Sequence, residues 1–394
     1  MRRREFLLAA AASKSFAAPA GRAPLLLLSA DDAREIKNGI SAAQRARLRG
    51  LADRDLRSGP WSVTFHRPQG TALPANEYFS EGPYWWPDPK NPSGPYIRRD
   101  GERNPRRFDH NHHDLGAMAA AVLTLGMASY FLDDAPSAAH AARILGTWFA
   151  APETRMAPNL DHAQAIRGRT SGHGTGIIDT VSLIYAVQGI VLLERAGRLN
   201  ADLPEGLRRW FADYLHWMLT SKNGLDEERA ANNHGTWWSA QVAAYASYLG
   251  DESTLRMVWN RYRTVLVPGE IQPDGSCPRE LARTNSLSYS AYNLDAFSVL
   301  CRLAQENDVD LWHFQTANGI SLAKAVAYVT PYLQHPETWR AKQIGPFNAG
   351  RVVFPGLAGA GLHSQKVLDV YRQLPRENSA WVLLVDWIVR AEQS

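Results

Sequence analysis

From about residue 114 to its C-terminus, this chain of 394 residues is a succession of segments whose apolar residues recur at helical spacing. LGAMAAAVLTLGMASYFL, IIDTVSLIYAVQGIVLLERAG, GLRRWFADYLHWMLTS and SAWVLLVDWIVRAEQ are four of them, separated by Gly, Pro, Asn and Asp. Each such segment must bury its apolar surface against other helices. No convincing series of strands accompanies them. A run of paired helices this long folds as a solenoid or as an α/α toroid, an incomplete α/α barrel of antiparallel pairs. The periodicity does not separate the two; the all-α toroid is the expectation adopted.

One stretch in this series is out of character. Residues 231–241, ANNHGTWWSAQ, open a helix with more polar and aromatic surface than a helix start requires. Trp238, Val242, Tyr245 and Leu249 fall at spacings of four, three and four, which is one helix face, and Gly250 stands at the stop. One asparagine suffices as N-cap. The other, with His234, is then left at a helix N-terminus, where free N–H groups and the helix dipole attract anions.

The net charge of +4 is small for this length and argues against a dedicated nucleic-acid binder. Arg outnumbers Lys 36 to 7; Arg suits acidic ligands, but a GC-rich genome is the better explanation of the bias. The N-terminus, MRRREFLLAAAASKSFAAPAGRA, has a basic start, a short apolar run and a small-residue site near Ala18-Pro19-Ala20. That pattern predicts a cleaved export signal over residues 1–22, of the twin-arginine type from Arg3-Arg4-Glu5-Phe6-Leu7. Residues 23–394 are then expected as one domain in the periplasm or outside the cell. No other stretch reads as long and apolar enough to span a membrane. Cys277 and Cys301 are read as unpaired.

Residues 58–108 interrupt the helical pattern with prolines, around SEGPYWWPDPKNPSGPYIRRDGERNP. Ordered loops of this length inside enzymes are usually functional. Tyr84, Trp85 and Trp86 either plug the core or form a wall on which sugar rings stack. DHNHHD, 109–114, sets His110, His112 and His113 between two aspartates. Neighbouring residues rarely point at one ion, and no metal-binding helical spacing occurs. A polar helix start capped by Asp109 or Asn111, with His113 facing a cleft, is expected instead. NLDHAQAIRGRTSGHGTGIID, 159–179, holds Gln164, Arg167, Arg169 and His173 in a Gly-rich loop without nucleotide-binding spacing. In PDGSCPRELARTNSLSYSAYNLDAF, a turn at Pro273-Asp274-Gly275 leads to Glu280, Arg283, Tyr289 and Tyr292.

Together these residues resemble the alginate lyase superfamily of polysaccharide lyases. The resemblance rests on NNH at 232–234, the Arg/Tyr pair of RTNSLSY some fifty residues later, the loop SEGPYWWPDP, and the segments PYIRRDGERNP and PDGSCPREL. It spreads from about residue 75 to about residue 300. The alginate-specific branch typically reads NNHSYW where this chain reads NNHGTWW, and the PYWWPDP loop is closer to the branch that includes glucuronan lyases. The resemblance implies β-elimination from a 1,4-linked polyuronate (mannuronate, guluronate or glucuronate), with no cofactor and no metal. Asn233, His234 and Arg283 would neutralise the uronate carboxylate as the enolate forms. Tyr289 would serve as acid and base where the C5 hydrogen and C4 oxygen share a face; for L-guluronate His234 would be the base. Arg283 is expected to lower the Tyr289 pKa from its free value of about 10. Tyr84, Trp85, Trp86, His113, Gln164, Arg167, Trp237, Trp238, Glu280 and Tyr292 are expected to bind substrate, an acidic polysaccharide. A homodimer is left open.

Three rival readings use the same residues. A glycoside hydrolase would need a carboxyl pair from Asp88, Asp100, Asp114 and Glu280. A non-catalytic binder of acidic polysaccharide would keep the aromatic loop without needing Arg283 and Tyr289 together. A metal hydrolase would be built on DHNHHD.

Overall fold

A computed structural model describes residues 25–68, 70 and 72–393. The expected export signal lies outside the described residues. The helices α1 (Ala30–Gly39) and α2 (Ala42–Asp55) each open with a capping box, Ser29 with Asp32 and Ser41 with Gln44. The proline-rich segment that follows holds only a short antiparallel pair, β1 (Trp85–Trp86) and β2 (Ile97–Arg98), with Trp85 opposite Arg98. Beyond it come α3 (His110–Phe131), α4 (Ala135–Leu145), α5 (Leu183–Arg195), α6 (Asp202–Thr220), α7 (Lys222–Glu228), α8 (Asn233–Leu249) and α9 (Glu252–Arg261). The series continues with α10 (Val267–Glu270), α11 (Pro278–Leu281), α12 (Ser286–Gln305), α13 (Leu322–Val329), α14 (Phe354–Gly361), α15 (Gln365–Gln373) and α16 (Ala380–Ala391).

The packing order shows the architecture. α3, α5, α8, α12 and α14 each lie against the next, and α16 touches both α14 and α3. A second set stands outside them: α4 on α3, α6 and α9 on α8, α13 on α12, and α15 on α14. This is the α/α toroid expected from the helix pairs. The inner helices come close where side chains vanish. A Cβ on Gly126 of α3 would sit 2.5 Å from the Gly189 carbonyl oxygen of α5, and one on Gly189 would sit 2.4 Å from that of Val122.

One reading needs correction. α3 is, by length and hydropathy, apolar enough to cross a membrane. Most of it is buried within the protein, because an inner helix of a toroid meets neighbours on every side. The four leucines ahead of α1 also belong to the core: Leu25 to Leu28 are buried. Gln188 of α5 holds their backbone by donating to the Leu25 carbonyl and accepting from the Leu27 N–H. Cys277 and Cys301 are buried free thiols, as expected.

Candidate active site

The start of α8 and the start of α12 face one cavity of about 1490 Å³, whose outer side is formed by the proline-rich loop. Asn232 is the N-cap of α8, and its side chain accepts the His234 N–H at 3.3 Å. Asn233 and His234 therefore form the first turn. Gly235 allows it to tighten, since a Cβ there would lie 2.0 Å from the Ala230 carbonyl oxygen.

Each of the two residues has a buried glutamate behind it. The Asn233 N–H donates to Glu280 Oε1 at 2.7 Å, and its Nδ2 lies 3.0 and 2.9 Å from the two carboxylate oxygens. Those oxygens are too close together to take both diverging N–H bonds of one amide, so one N–H of Asn233, which lines the cavity while 1% exposed, is not used by Glu280. His234 Nδ1 lies 2.6 Å from Glu227 Oε1. A carboxylate only accepts, so Nδ1 carries the hydrogen and Nε2 is the nitrogen left for the cavity. Burial alone would lower the His234 pKa, but the Glu227 and Glu280 carboxylates raise it, and the net shift is upward. Burial raises both glutamates above the ordinary carboxylate value, opposed by His234 at Glu227 and by Asn233 at Glu280.

The opposite wall is built around an oxygen. Tyr289 Oη accepts from Arg283 Nη2 at 2.7 Å and lies 2.6 Å from Tyr84 Oη. The guanidinium also stacks on the Tyr289 ring, 3.7 Å from its centroid. Arg283 is itself gripped by Asp100, through Nε at 3.2 Å from both oxygens and Nη2 at 2.8 Å. Burial would raise the Asp100 pKa, but Arg283 and the Thr284 N–H and hydroxyl hold it well below the usual carboxylate range. Tyr289 moves the other way. Burial and the adjacent Tyr84 hydroxyl raise it above its ordinary value, and Arg283 opposes without outweighing them. The expected lowering by Arg283 is thus a partial effect, because the same guanidinium is neutralised by Asp100.

The family model for alginate lyases matches residues 63–339. This chain belongs to the alginate lyase family. It is a polysaccharide lyase, and its family implies an acidic polysaccharide substrate. An alginate lyase from Bacteroides ovatus superposes with a TM-score of 0.85 at 30% identity, over 91% of this chain and 98% of that one. Alginate lyase A1-III from Sphingomonas species A1 superposes at 0.56 with 16% identity, over 86% and 93%. A histidine variant of A1-III complexed with a tetrasaccharide gives 0.59 at 15%, over 86% and 92%. At those lower identities the likeness shows the toroid fold alone. No curated protein matches the sequence.

The lyase cavity gathers Tyr84, Trp85, Gln164, Asn233, His234, Arg283, Tyr289 and Tyr292. Gln164 donates to Asp179 Oδ1 at 2.8 Å, and Tyr292 packs its ring on Trp237. Other expectations fail for definite reasons. Trp237 and Trp238 are 2% and 1% exposed and line no subsite, because α8 is an inner helix with neighbours all round. Glu280 is fully buried and touches Asn233 instead of substrate. Trp86 points away from the cavity, its indole N–H donating to the Glu102 carbonyl at 2.9 Å with Arg99 over its ring. Arg167 pairs with Glu81 at 2.5 Å and lines a separate recess with Arg106 and Arg169. His113 stands outside, 72% of its side chain exposed and 3.0 Å from Asp109; His112, one residue earlier, lines the cavity. Asp109 holds the N-cap position of α3 without a side-chain capping bond. Asn111 is no cap either: buried, it accepts the Phe79 N–H and fastens the loop.

Glu227 was missed, as was the part Asp100 plays. Glu227 sits seven residues before His234, and only the turn between α7 and α8 brings it back. Asp100 is 183 residues from Arg283. The carboxyl groups a hydrolase would use are occupied. Asp100 serves Arg283, Glu280 serves Asn233, Asp114 pairs with His66 at 2.9 Å, and Asp88 closes a turn onto the Lys90 N–H. Among the described residues no three His, Cys, Asp or Glu side chains are placed to hold a metal ion, those of DHNHHD included.

Proposed function

We propose that this lyase cleaves a 1,4-linked polyuronate, alginate or glucuronan, by β-elimination, leaving a 4,5-unsaturated uronate at the new end. The observation that carries the reading is the Tyr289 oxygen, held between Arg283 Nη2 and Tyr84 Oη on the wall facing Asn233 and His234.

The chemistry follows from the two walls. The C5 proton of a uronate is weakly acidic while its carboxylate keeps its charge to itself. The second N–H of Asn233, the His234 Nε2–H and the positive end of α8 can draw that charge onto the carboxylate as the enolate forms. Tyr289 as phenolate takes the C5 proton. The C5–H electrons form the C4–C5 double bond, the C4–O bond breaks, and the same proton passes to the leaving oxygen, which regenerates the phenolate. No proton is consumed over the cycle. The ionised phenol is a minor form at neutral pH, and the Arg283 guanidinium is the neighbour that stabilises it. Trp85, with Arg169 over its ring at 5.2 Å, offers a neighbouring sugar a flat face. With the twin-arginine pattern at its N-terminus, the enzyme acts in the periplasm or outside the cell.

The test is a product assay on the mature protein with polymannuronate, polyguluronate, glucuronan and a neutral glucan, with and without chelator. Ultraviolet absorbance of the new double bond should rise with a polyuronate and ignore the chelator. New reducing ends without absorbance would replace elimination by hydrolysis.

A further inference from the structure

We infer that Glu227 is a positioning residue for the elimination: it fixes His234 with Nδ1–H turned inward and Nε2 turned to the cavity, so that the ring can present a proton to the substrate carboxylate. The inference deepens the reading of the cleft as a polyuronate lyase and rests on it.

Two observations and one general rule carry it. The contact is short, 2.6 Å, and the carboxylate is 1% exposed, so water cannot take its place. The site is built on both sides of the contact. α7 packs directly on α8 and on the turn at Gly174–Thr180, where a Cβ on Gly174 would lie 3.1 Å from the Glu227 nitrogen. Finally, a histidine beside a buried carboxylate has its tautomer chosen for it, and the opposite charge favours the protonated ring. The other charged or titratable groups around His234 are Glu280 of α11, behind the same wall, Arg283 from the turn between α11 and α12, and His173 and Asp179 from the segment before α5. Arg283 opposes the protonated ring and Glu280 supports it. Glu227 is the one in hydrogen-bond contact.

The experiment is Glu227→Gln, which keeps shape and removes charge, with Glu227→Asp as the charge-keeping control. Ring-labelled histidine NMR on the ligand-free enzyme, with His234→Ala to assign the signal, should show the His234 midpoint falling by about one pH unit or more in Glu227→Gln. Glu227→Asp should keep most of the parent value. On the polyuronate that is turned over, kcat should fall roughly tenfold at neutral pH in Glu227→Gln. The limb of the pH–rate profile that His234 governs should move to lower pH by the same shift, with KM changed less than about threefold. An unmoved NMR midpoint overturns the inference. So does a lower kcat with an unmoved profile, which is the mark of a merely structural glutamate. If no polyuronate gives unsaturated product, the lyase substrate reading falls, and the NMR midpoint still decides for or against Glu227.

Discussion

The two walls of the cavity hold their donors by different means. On the α8 wall, Glu227 and Glu280 stand behind His234 and Asn233 and are closed off from solvent. On the loop wall, Asp100 grips Arg283 while staying partly exposed and also meeting Arg98 at 2.7 Å. A buried partner cannot be replaced by water, so removing it changes what the donor is. A partly exposed partner can be replaced, so removing it changes only how firmly the donor is held. The α8 wall is therefore set when the chain folds, whereas the loop wall depends on how the proline-rich segment lies against α12.

The largest effect should come at the oxygen that faces the α8 wall. Tyr289→Phe should lower kcat by about a thousandfold or more while leaving KM nearly unchanged, measured by double-bond absorbance. Near-parent turnover would show that the walls serve another residue. The next pair tests the contrast directly. Glu280→Ala should cost about a hundredfold in kcat and several degrees in Tm, since it strands a buried amide. Asp100→Asn should cost about tenfold or less in kcat with little change in Tm. Equal losses of stability in the two variants would erase the distinction between the walls. On the loop itself, Trp85→Ala should raise KM about threefold to tenfold, whereas Trp86→Ala should leave it unchanged, because only Trp85 lines the cavity. An equal rise in both would move Trp86 into the sugar path.

The smallest effect lies beneath the α8 wall. Glu270 is buried under Thr236, and burial pushes its carboxyl up to about 7 against the hydrogen bonds from Asn293 and Thr236. Its folded pKa lies above the unfolded one, so the unfolded chain ionises first and stability falls as pH rises from the ordinary carboxylate range to about 7. Glu270→Gln removes that slope. Calorimetry should find the variant gaining roughly a few degrees on the parent between pH 5 and pH 8. No pH-dependent difference would mean that Glu270 keeps its ordinary ionisation.

Much of this architecture was legible in the chain itself. The Asn232 cap and the Gly250 stop of α8 were readable because each acts through neighbouring backbone. Arg283 and Tyr289 were readable as a pair because they flank one helix start. The errors share a different cause. Trp237 and Trp238 were expected to bind substrate because they follow the polar NNH start, yet α8 runs through the interior of the ring and buries both. His113 was preferred over His112, and the one-residue step around a helix that separates cavity from solvent depends on how α3 is rotated against the loop. Arg167 was placed in the cleft, and its pairing with Glu81 turns it to the outer side.

The sequence by itself determined the helices, their ends and the chemical inventory, since these depend on spacing, caps and residue type within a few positions. Only the tertiary structure decided which carboxylate stands behind which donor: Glu227 behind His234, Glu280 behind Asn233, Asp100 behind Arg283. Those pairings join segments 7, 47 and 183 residues apart. Electrostatic contact depends on distance in space, and the closing of the ring, not order along the chain, sets that distance.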